Sequence, residues 1–311
     1  MFRIITLTVM LLTLAGTATT ASAKLRITAS VPDLAALATE VGGDRVQVTS
    51  LSLSTQDPHF VDARPNLALA LNRADLLITL GADMEVGWLP VLQTGARNSN
   101  ILTSGDGYME CANHVPMKEV PSGPIDRGMG DVHAEGNPHY LRDPNYGIKC
   151  AEAITVKLSR LDPEHAAYYQ DRFETFKHAL LDRIEEWETR MKPHQGTQVL
   201  VYHKSWIYLL DWLEFERIGT VEPRPGIPPS PSHVARLIRD ANAREPRLLL
   251  HEEYYPDSTS ILIAERLGIP LLKMQGGTRF RDDQTYAEKV EAHLTMILDA
   301  LEQMEENHDD S

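Results

Sequence analysis

Apolar and polar residues along the chain form two alternating kinds of segment. Short apolar runs such as KLRITASV, from Lys24, and DLLITLGA, from Asp75, have the length and composition of buried strands. Between them lie segments with apolar residues three and four positions apart, such as PDLAALATEVGG, from Pro32. Strands separated by helices in this order predict βαβ units and a parallel sheet.

The longest helical pattern begins at Asp162-Pro163, which is typical of a helix start. Apolar residues then recur at helical spacing as far as Trp187, and Pro193 ends the pattern. A helix of about 30 residues would span about 45 Å, which exceeds the width of one small lobe. We therefore predict one long helix, residues 161–193, that runs along two lobes.

The alternation of strands and helices restarts after this helix, with TQVLVYH, RLLLHEE and IPLLKMQ as strands. The whole pattern predicts an α/β protein of two Rossmann-like lobes with mostly parallel sheets, joined by the long helix. The N-terminal lobe is predicted over residues 24–160 and the C-terminal lobe over residues 194–311. Residues 105–137 lack periodicity, which predicts a mobile loop in the first lobe.

The first 23 residues have a different character from the rest of the chain. They contain Arg3, an apolar stretch and the small-residue end Ala21-Ser22-Ala23. This is the layout of a cleavable secretory signal, and the apolar run is too short to span a membrane. We predict a signal peptide over residues 1–23 and a mature chain in the periplasm, without a lipid anchor because no cysteine follows the cleavage site.

Charge restricts the partners. The sequence has 44 acidic against 30 basic residues, a formal net charge of −14. Nucleic acid and anionic membrane surfaces are poor partners for such a chain, whereas cations are attracted to it. We expect a monomer that binds no nucleic acid.

Two cysteines, Cys111 and Cys150, bracket the segment with His114, His133 and His139. In an oxidising compartment a pair of cysteines is more often bridged than free. We therefore predict a disulfide between them, with two unpaired buried thiols as the alternative.

Three histidines have settings that suit metal binding. His59 and His139 follow Asp-Pro and Asn-Pro, and His203 ends the strand that begins at Thr197. Ligands of open α/β sheets bind beyond the carboxyl ends of the strands, and neutral imidazole donates a lone pair at pH 7. Each histidine alone would more often be structural, but together they predict a metal site in the cleft between the lobes.

Five stretches of the sequence, which include these three histidines, resemble the zinc and manganese substrate-binding proteins of bacterial ABC importers. The matching stretches, in the order of that family, are DPHFVDARPNLALALNRADLLITLGADMEVGWL, GNPHYLRDP, YHKSWIYLLDWL, EPRPGIPPSP and AERLGIPLL. The resemblance implies that His59, His139 and His203 are metal ligands. It also implies an ABC importer permease as the partner, and a periplasmic metallochaperone is a further candidate. Metal binding would order the 105–137 loop, in which His114 and His133 would hand the ion inward.

The fourth ligand is where the sequence departs from the family. Many relatives carry an aspartate shortly after the last strand, where this chain reads Met274-Gln275-Gly276. We select Glu253, at the end of the strand RLLLHEE, and expect its neighbour Glu252 to point the opposite way. The alternatives are Glu252, Asp57, Asp282, Asp283 and a water molecule.

Three imidazoles and at most one carboxylate suit zinc, whereas manganese prefers more oxygen ligands. We therefore predict a protein that binds Zn²⁺ with high affinity and delivers it to an importer, with Mn²⁺ as the second choice of ion. A catalytic zinc of a hydrolase also fits three histidines. The sequence contains no His-Glu-x-x-His, no Gly-x-Ser-x-Gly and no Cys–His nucleophile pair, so we predict that the protein is not an enzyme.

Overall fold

The computed structural model describes residues 23–123, 130 and 132–309. The predicted signal peptide therefore lies, except for Ala23, outside the described residues. Within the described part, no helix combines the length and the apolar character that a membrane crossing requires.

Two parallel four-stranded sheets form the framework, with strand orders β2-β1-β3-β4 and β6-β5-β7-β8. The first sheet contains β1 (Leu25–Ala29), β2 (Val46–Ser50), β3 (Leu76–Thr79) and β4 (Tyr108–Glu110). The second sheet contains β5 (Gln198–Val201), β6 (Glu216–Thr220), β7 (Leu248–Glu252) and β8 (Leu271–Met274). The two lobes thus repeat one topology, and the predicted two-lobe α/β fold with parallel sheets is confirmed.

Helices cover these sheets and connect them. In the described part of the chain they are α1 (Pro32–Gly42), α2 (Pro65–Arg73), α3 (Leu89–Ala96), α4 (Pro144–Leu161), α5 (Ala166–Met191), α6 (Ile207–Trp212), α7 (Pro231–Asn242), α8 (Ser258–Leu267) and α9 (Tyr286–Asp309). Strands buried on both faces require apolar residues at every position, which explains the continuous apolar runs of the sequence.

Successive strand residues alternate between two apolar layers. Leu76 and Ile78 of β3 face a large core that extends through both lobes, whereas Leu77 faces a separate cluster under α2 and α3. In β7, Leu250 faces the same large core and Leu249 faces a third cluster under α7 and α8. One shared core therefore joins the inner faces of both sheets.

The long helix α5 lies between the lobes, and it is shorter than the predicted 161–193. It packs against α1 and α4 of the first lobe and against α9. The carboxylate of Asp162 accepts hydrogen bonds from His165 Nδ1 and the Tyr169 hydroxyl instead of capping a backbone N–H. A 3₁₀ turn over Pro163–His165 consequently precedes the α-helix, whose 26 residues span about 39 Å.

The last helix, α9, forms a second connection between the lobes. Lys289 of α9 is fully buried, with Nζ 3.2 Å from Oδ2 of Asp33 in α1 and 3.1 Å from the carbonyl oxygen of Leu141. The backbone N–H of Thr278 also donates to Asp33, at 2.8 Å. The end of the second lobe is therefore anchored on the first.

The predicted loop 105–137 begins with regular structure. Strand β4 pairs with β3, and a 3₁₀ turn over Cys111–His114 follows it. Cys111 and Cys150 carry free, buried thiols. A hydrogen bond between the two thiols, together with burial, raises the pKa of Cys111. The disulfide itself remains a prediction.

Candidate metal centre

His59, His139 and His203 converge between the lobes. Their ring centroids lie 5.3 to 5.5 Å apart, and one ligand nitrogen from each falls within 4.8 Å of the others. All three side chains are buried. Within the described residues this is the one group of three or more potential ligands close enough to hold a metal ion.

A short turn in the loop after β2 orients His59. Oδ1 of Asp57 accepts hydrogen bonds from the backbone N–H of His59, at 3.0 Å, and from its Nδ1, at 2.7 Å. Pro58 between them has a restricted φ and no N–H, which favours this turn. Burial alone would raise the pKa of Asp57, but the hydrogen bonds from His59 outweigh it and hold the pKa below its ordinary value. An ionised Asp57 keeps the proton on Nδ1 and leaves the Nε2 lone pair free.

His139 repeats the same local structure. Oδ1 of Asn137 accepts from the backbone N–H of His139, at 3.1 Å, and from its Nδ1, at 2.9 Å, across Pro138. The amide nitrogen of Asn137 donates to the carbonyl oxygen of Lys204 in the second lobe, at 2.8 Å. Nε2 of His139 is buried and has no hydrogen-bond partner among the described residues, which suits a nitrogen reserved for a cation.

His203 lies just beyond the carboxyl end of β5. Its Nδ1 is 2.7 Å from Oε2 of Glu222, which follows β6, and both side chains are buried. The backbone N–H of Glu222 donates to the carbonyl oxygen of Tyr202, at 3.1 Å, and so extends the pairing of these two strands. The parallel sheet therefore places the carboxylate behind the imidazole.

The electrostatics of the site favour neutral rings around a cation. Burial, followed by the neighbouring rings of His59 and His203, lowers the pKa of His139 well below its usual value. The carboxylates of Asp57 and Glu222 stand behind the rings, where they partly offset the charge of a divalent ion. Partners of this kind on the second ring nitrogen fix the tautomer and increase the basicity of a ligating histidine.

Glu253, the predicted fourth ligand, is not brought to the three rings in this structure. Its carboxylate lies 3.6 Å from Nη2 of Arg279, and it is not part of the histidine group. Glu252 lies two residues after Leu250 in β7, so its side chain points to the same face of the sheet, and it is completely buried. Asp282 and Asp283 are both exposed.

His133, considered from the sequence only as a transient carrier, lies against the group. Its Nε2 is 3.3 Å from Nε2 of His59, and burial together with His59 and His203 lowers its pKa to about 4. His114, the other carrier candidate, is exposed. No local pattern distinguishes His133 in sequence, because its preceding residues have no regular periodicity.

Sequence reasoning also missed the partners of two rings. The sequence Asn137-Pro138-His139 matches Asp57-Pro58-His59, with a side-chain oxygen two residues before the histidine. The role of Asn137 could therefore have been inferred from the sequence. Glu222 lies 19 residues after His203 and is brought to it only by the pairing of β5 with β6.

Comparison with known proteins agrees with this architecture. A family model described as "Zinc-uptake complex component A periplasmic" matches residues 27–300. The high-affinity zinc uptake system protein ZnuA of Paracoccus denitrificans is 26% identical over 239 residues, which cover 71% of this chain and 73% of the relative. The manganese ABC transporter substrate-binding lipoprotein PsaA of Streptococcus pneumoniae serotype 4 is 26% identical over 161 residues, which cover 51% and 48%.

Among solved structures, the substrate-binding protein FpvC of Pseudomonas aeruginosa in complex with Mn²⁺ superposes with a TM-score of 0.75 at 21% identity. The superposition covers 90% of this chain and 99% of FpvC. Because the sequences are only 21% identical, this superposition is evidence for the fold alone. The match of the family model to nearly the whole described chain shows that the protein belongs to the family of periplasmic zinc-uptake components A, which are metal-binding components of ABC uptake systems and not enzymes.

Proposed function

We propose that this protein captures Zn²⁺ outside the cytoplasm and delivers it to an ABC importer, with His59, His139 and His203 as ligands. One observation carries the proposal. Each of the three buried rings has Nδ1 held by an acceptor, which leaves three Nε2 lone pairs for one ion. Glu253 is left out of the proposed ligand set because its carboxylate faces Arg279.

The donor atoms support zinc over manganese. Zinc favours tetrahedral sites with imidazole ligands, whereas manganese favours carboxylate, carbonyl and water oxygens. Relatives named for each metal match this chain, so the comparisons leave the ion open and the donor set is the argument for zinc.

The ligands come from both lobes, since His59 and His139 belong to the first and His203 to the second. An ion held by all three would fasten the cleft. The connections through α5 and through Lys289 of α9 would limit the accompanying motion to a small tilt of the lobes. A cavity of 330 Å³ beside His59 and His203 gives an arriving hydrated ion room to exchange water for imidazole.

Delivery requires the permease and ATPase with which the family works. We further propose that the signal peptide is removed on export and that the mature protein acts as a monomer in the periplasm. A metallochaperone that supplies the ion is retained as a prediction of the sequence.

Competition with a zinc chelator tests the proposal on the mature chain. We expect one zinc ion per chain, bound much more tightly than manganese. His139→Ala should weaken zinc binding at least about tenfold, because it removes a ligand and not only an orienting partner. His178→Ala is the matched control, since that histidine lies exposed on α5.

Unchanged zinc affinity in His139→Ala would reject the site. Tighter binding of manganese than of zinc by the parent protein would instead reject the choice of ion and leave the site in place. X-ray absorption of the loaded protein separates these outcomes, because it counts the nitrogen and oxygen neighbours of the bound metal.

A further inference from the structure

A fourth imidazole, that of His133, lies beside the ring of His59 and lines one cavity with His139 and His203. Its Nε2 lies 3.3 Å from Nε2 of His59, with ring centroids 5.3 Å apart and planes tilted by 33°. Because Nδ1 of His59 is hydrogen-bonded to Asp57, Nε2 of His59 presents a lone pair. Two ring nitrogens approach in this way when a proton or a cation lies between them.

The distance between the two nitrogens agrees with two ligands of one ion. Two nitrogen ligands of a tetrahedral zinc ion, each about 2.0–2.1 Å from the metal, lie about 3.3–3.4 Å apart. The observed 3.3 Å is the spacing of two zinc ligands.

His133 lies beside a constrained turn of the first lobe. The backbone of Ala82, just beyond β3, opposes the lowering of the pKa of this ring. Ala82 is fully buried and has a φ of 48°, a conformation that costs a non-glycine residue about 1–3 kcal/mol. The N–H of Ala82 donates to Oε1 of Glu110, at 3.0 Å, which holds the strained turn in place.

A fixed turn connects His133 to the loop of His139. The N–H of Gly136 donates to the carbonyl oxygen of His133, at 3.3 Å, and the N–H of Asn137 donates to that of Lys118, at 2.8 Å. Gly136 has a φ of 111°, and a Cβ there would lie 2.8 Å from the Lys118 oxygen. The backbone between the two histidines is therefore constrained.

We propose that His133 is the fourth ligand and completes a site of four imidazole nitrogens. This proposal rests on the proposed function, since it assigns the remaining position of the same site. Two of the carboxylates considered for that position have other partners, since Asp57 is hydrogen-bonded to His59 and Glu253 is paired with Arg279. Asp282 and Asp283 are exposed, and Glu252 is completely buried. A site without protein oxygen ligands discriminates against manganese, so His133 also determines specificity.

Three variants of the mature chain test the assignment. His133→Ala should lower zinc affinity at least about tenfold. X-ray absorption should then show three imidazole neighbours plus oxygen instead of the four of the parent protein. His133→Asp, which supplies an oxygen ligand, should recover part of the zinc affinity and raise manganese affinity relative to zinc. His114→Ala is the control, because this histidine of the same region is exposed.

The outcomes separate this inference from the proposed function. Three imidazoles plus oxygen in the parent, with unchanged affinity in His133→Ala, would overturn the role of His133 and leave the three-histidine site. A parent protein that binds no zinc would overturn both. Urea unfolding of the metal-free variants covers the remaining case. A loss of affinity without loss of stability and with partial recovery in His133→Asp supports ligation, whereas loss of affinity that follows loss of stability in both variants contradicts it.

Discussion

Glu222 holds His203 from behind, with Oε2 of the carboxylate 2.7 Å from Nδ1 of the imidazole. The two residues follow neighbouring parallel strands, so the sheet itself sets their distance. A second hydrogen bond, from the N–H of Gly226 at 3.4 Å, reaches the same carboxylate oxygen. Glu222 therefore acts on the metal through His203, as a positioning residue.

Removal of this carboxylate should weaken metal binding without removing a ligand. We expect Glu222→Ala to lower zinc affinity about 10- to 100-fold, the effect usual for a partner on the second ring nitrogen. Glu222→Gln, which retains an acceptor oxygen, should lose less. Chelator competition measures both, and Glu216→Ala removes an exposed carboxylate near the start of the same strand as a control. Affinity in Glu222→Ala equal to that of the parent would contradict the positioning role.

Asn137 has two functions that substitution can separate. Its side-chain oxygen orients His139, and its amide nitrogen donates to the Lys204 carbonyl of the other lobe. Asn137→Asp keeps the acceptor and loses the donor, whereas Asn137→Ala loses both. If orientation of His139 dominates, zinc affinity falls about 10- to 100-fold in Asn137→Ala and much less in Asn137→Asp.

Calorimetric titration with zinc, combined with urea unfolding of the metal-free variants, distinguishes the two functions. Equal losses of affinity in both variants would show that zinc binding requires the contacts donated by the amide nitrogen, to the Lys204 carbonyl and to Glu119, and not the orientation of His139.

The fold was predictable where strands are buried on both faces. β1, β3, β5 and β7 are central or well-covered strands, and their apolar runs are plain in the sequence. The strands that the sequence did not reveal, β4 and β6, are both edge strands. β4 has three residues, too few to show a period, and β6 reads ERIGT, with charged residues and a glycine. Edge strands are short and polar in this way because they avoid pairing with other chains.

The site was predictable where its geometry is local. The Asp-Pro-His and Asn-Pro-His steps contain their own turn chemistry, so His59 and His139 could be identified from neighbouring residues. His133 and Glu222 depend on contacts with distant segments, which no short pattern records. Glu253 was selected because it ends a strand. Glu252 is the last residue of β7 and Glu253 follows it, so their side chains point in opposite directions. The carboxylate of Glu253 is paired with Arg279.

Lys289 and Asp33 should make a measurable contribution to the joining of the lobes. Removal of one member of a buried ion pair leaves the other charge uncompensated, which typically costs about 3–5 kcal/mol. Asp33 is partly solvated and also accepts from Thr278, so we expect Lys289→Met to lower the free energy of unfolding by about 3 kcal/mol. The double variant with Asp33→Asn should recover part of this loss.

Urea denaturation of the metal-free protein measures these changes. The exposed pair of Lys273 and Asp257 supplies a control, since Lys273→Met should lower the free energy of unfolding much less than Lys289→Met. Equal effects of Lys289→Met and Lys273→Met would show that the pair on α9 is not a significant connection.

Glu252, the last residue of β7, is a completely buried acid. Its carboxylate oxygens have no hydrogen-bond partner of ordinary geometry among the described residues. The nearby guanidinium of Arg142 is committed elsewhere, because it donates to the carbonyl oxygens of Gln275 and Gly276 and stacks on Trp206. Burial therefore raises the pKa of Glu252 to about 8. The folded protein keeps this group protonated near neutral pH, whereas the unfolded chain releases the proton above about pH 4.5.

The stability of the parent protein should consequently depend on pH through Glu252. Because the folded state binds the proton more tightly, the stabilising contribution is complete below about pH 4.5 and is lost as pH rises through about 8. Glu252→Gln cannot ionise, so its stability relative to the parent should increase between pH 5 and 8 by up to about 1 kcal/mol per pH unit.

Urea unfolding of both metal-free proteins across this range gives the difference directly, since every other titrating group is common to the two. A difference between parent and Glu252→Gln that stays constant with pH would mean that Glu252 is ionised in the folded protein.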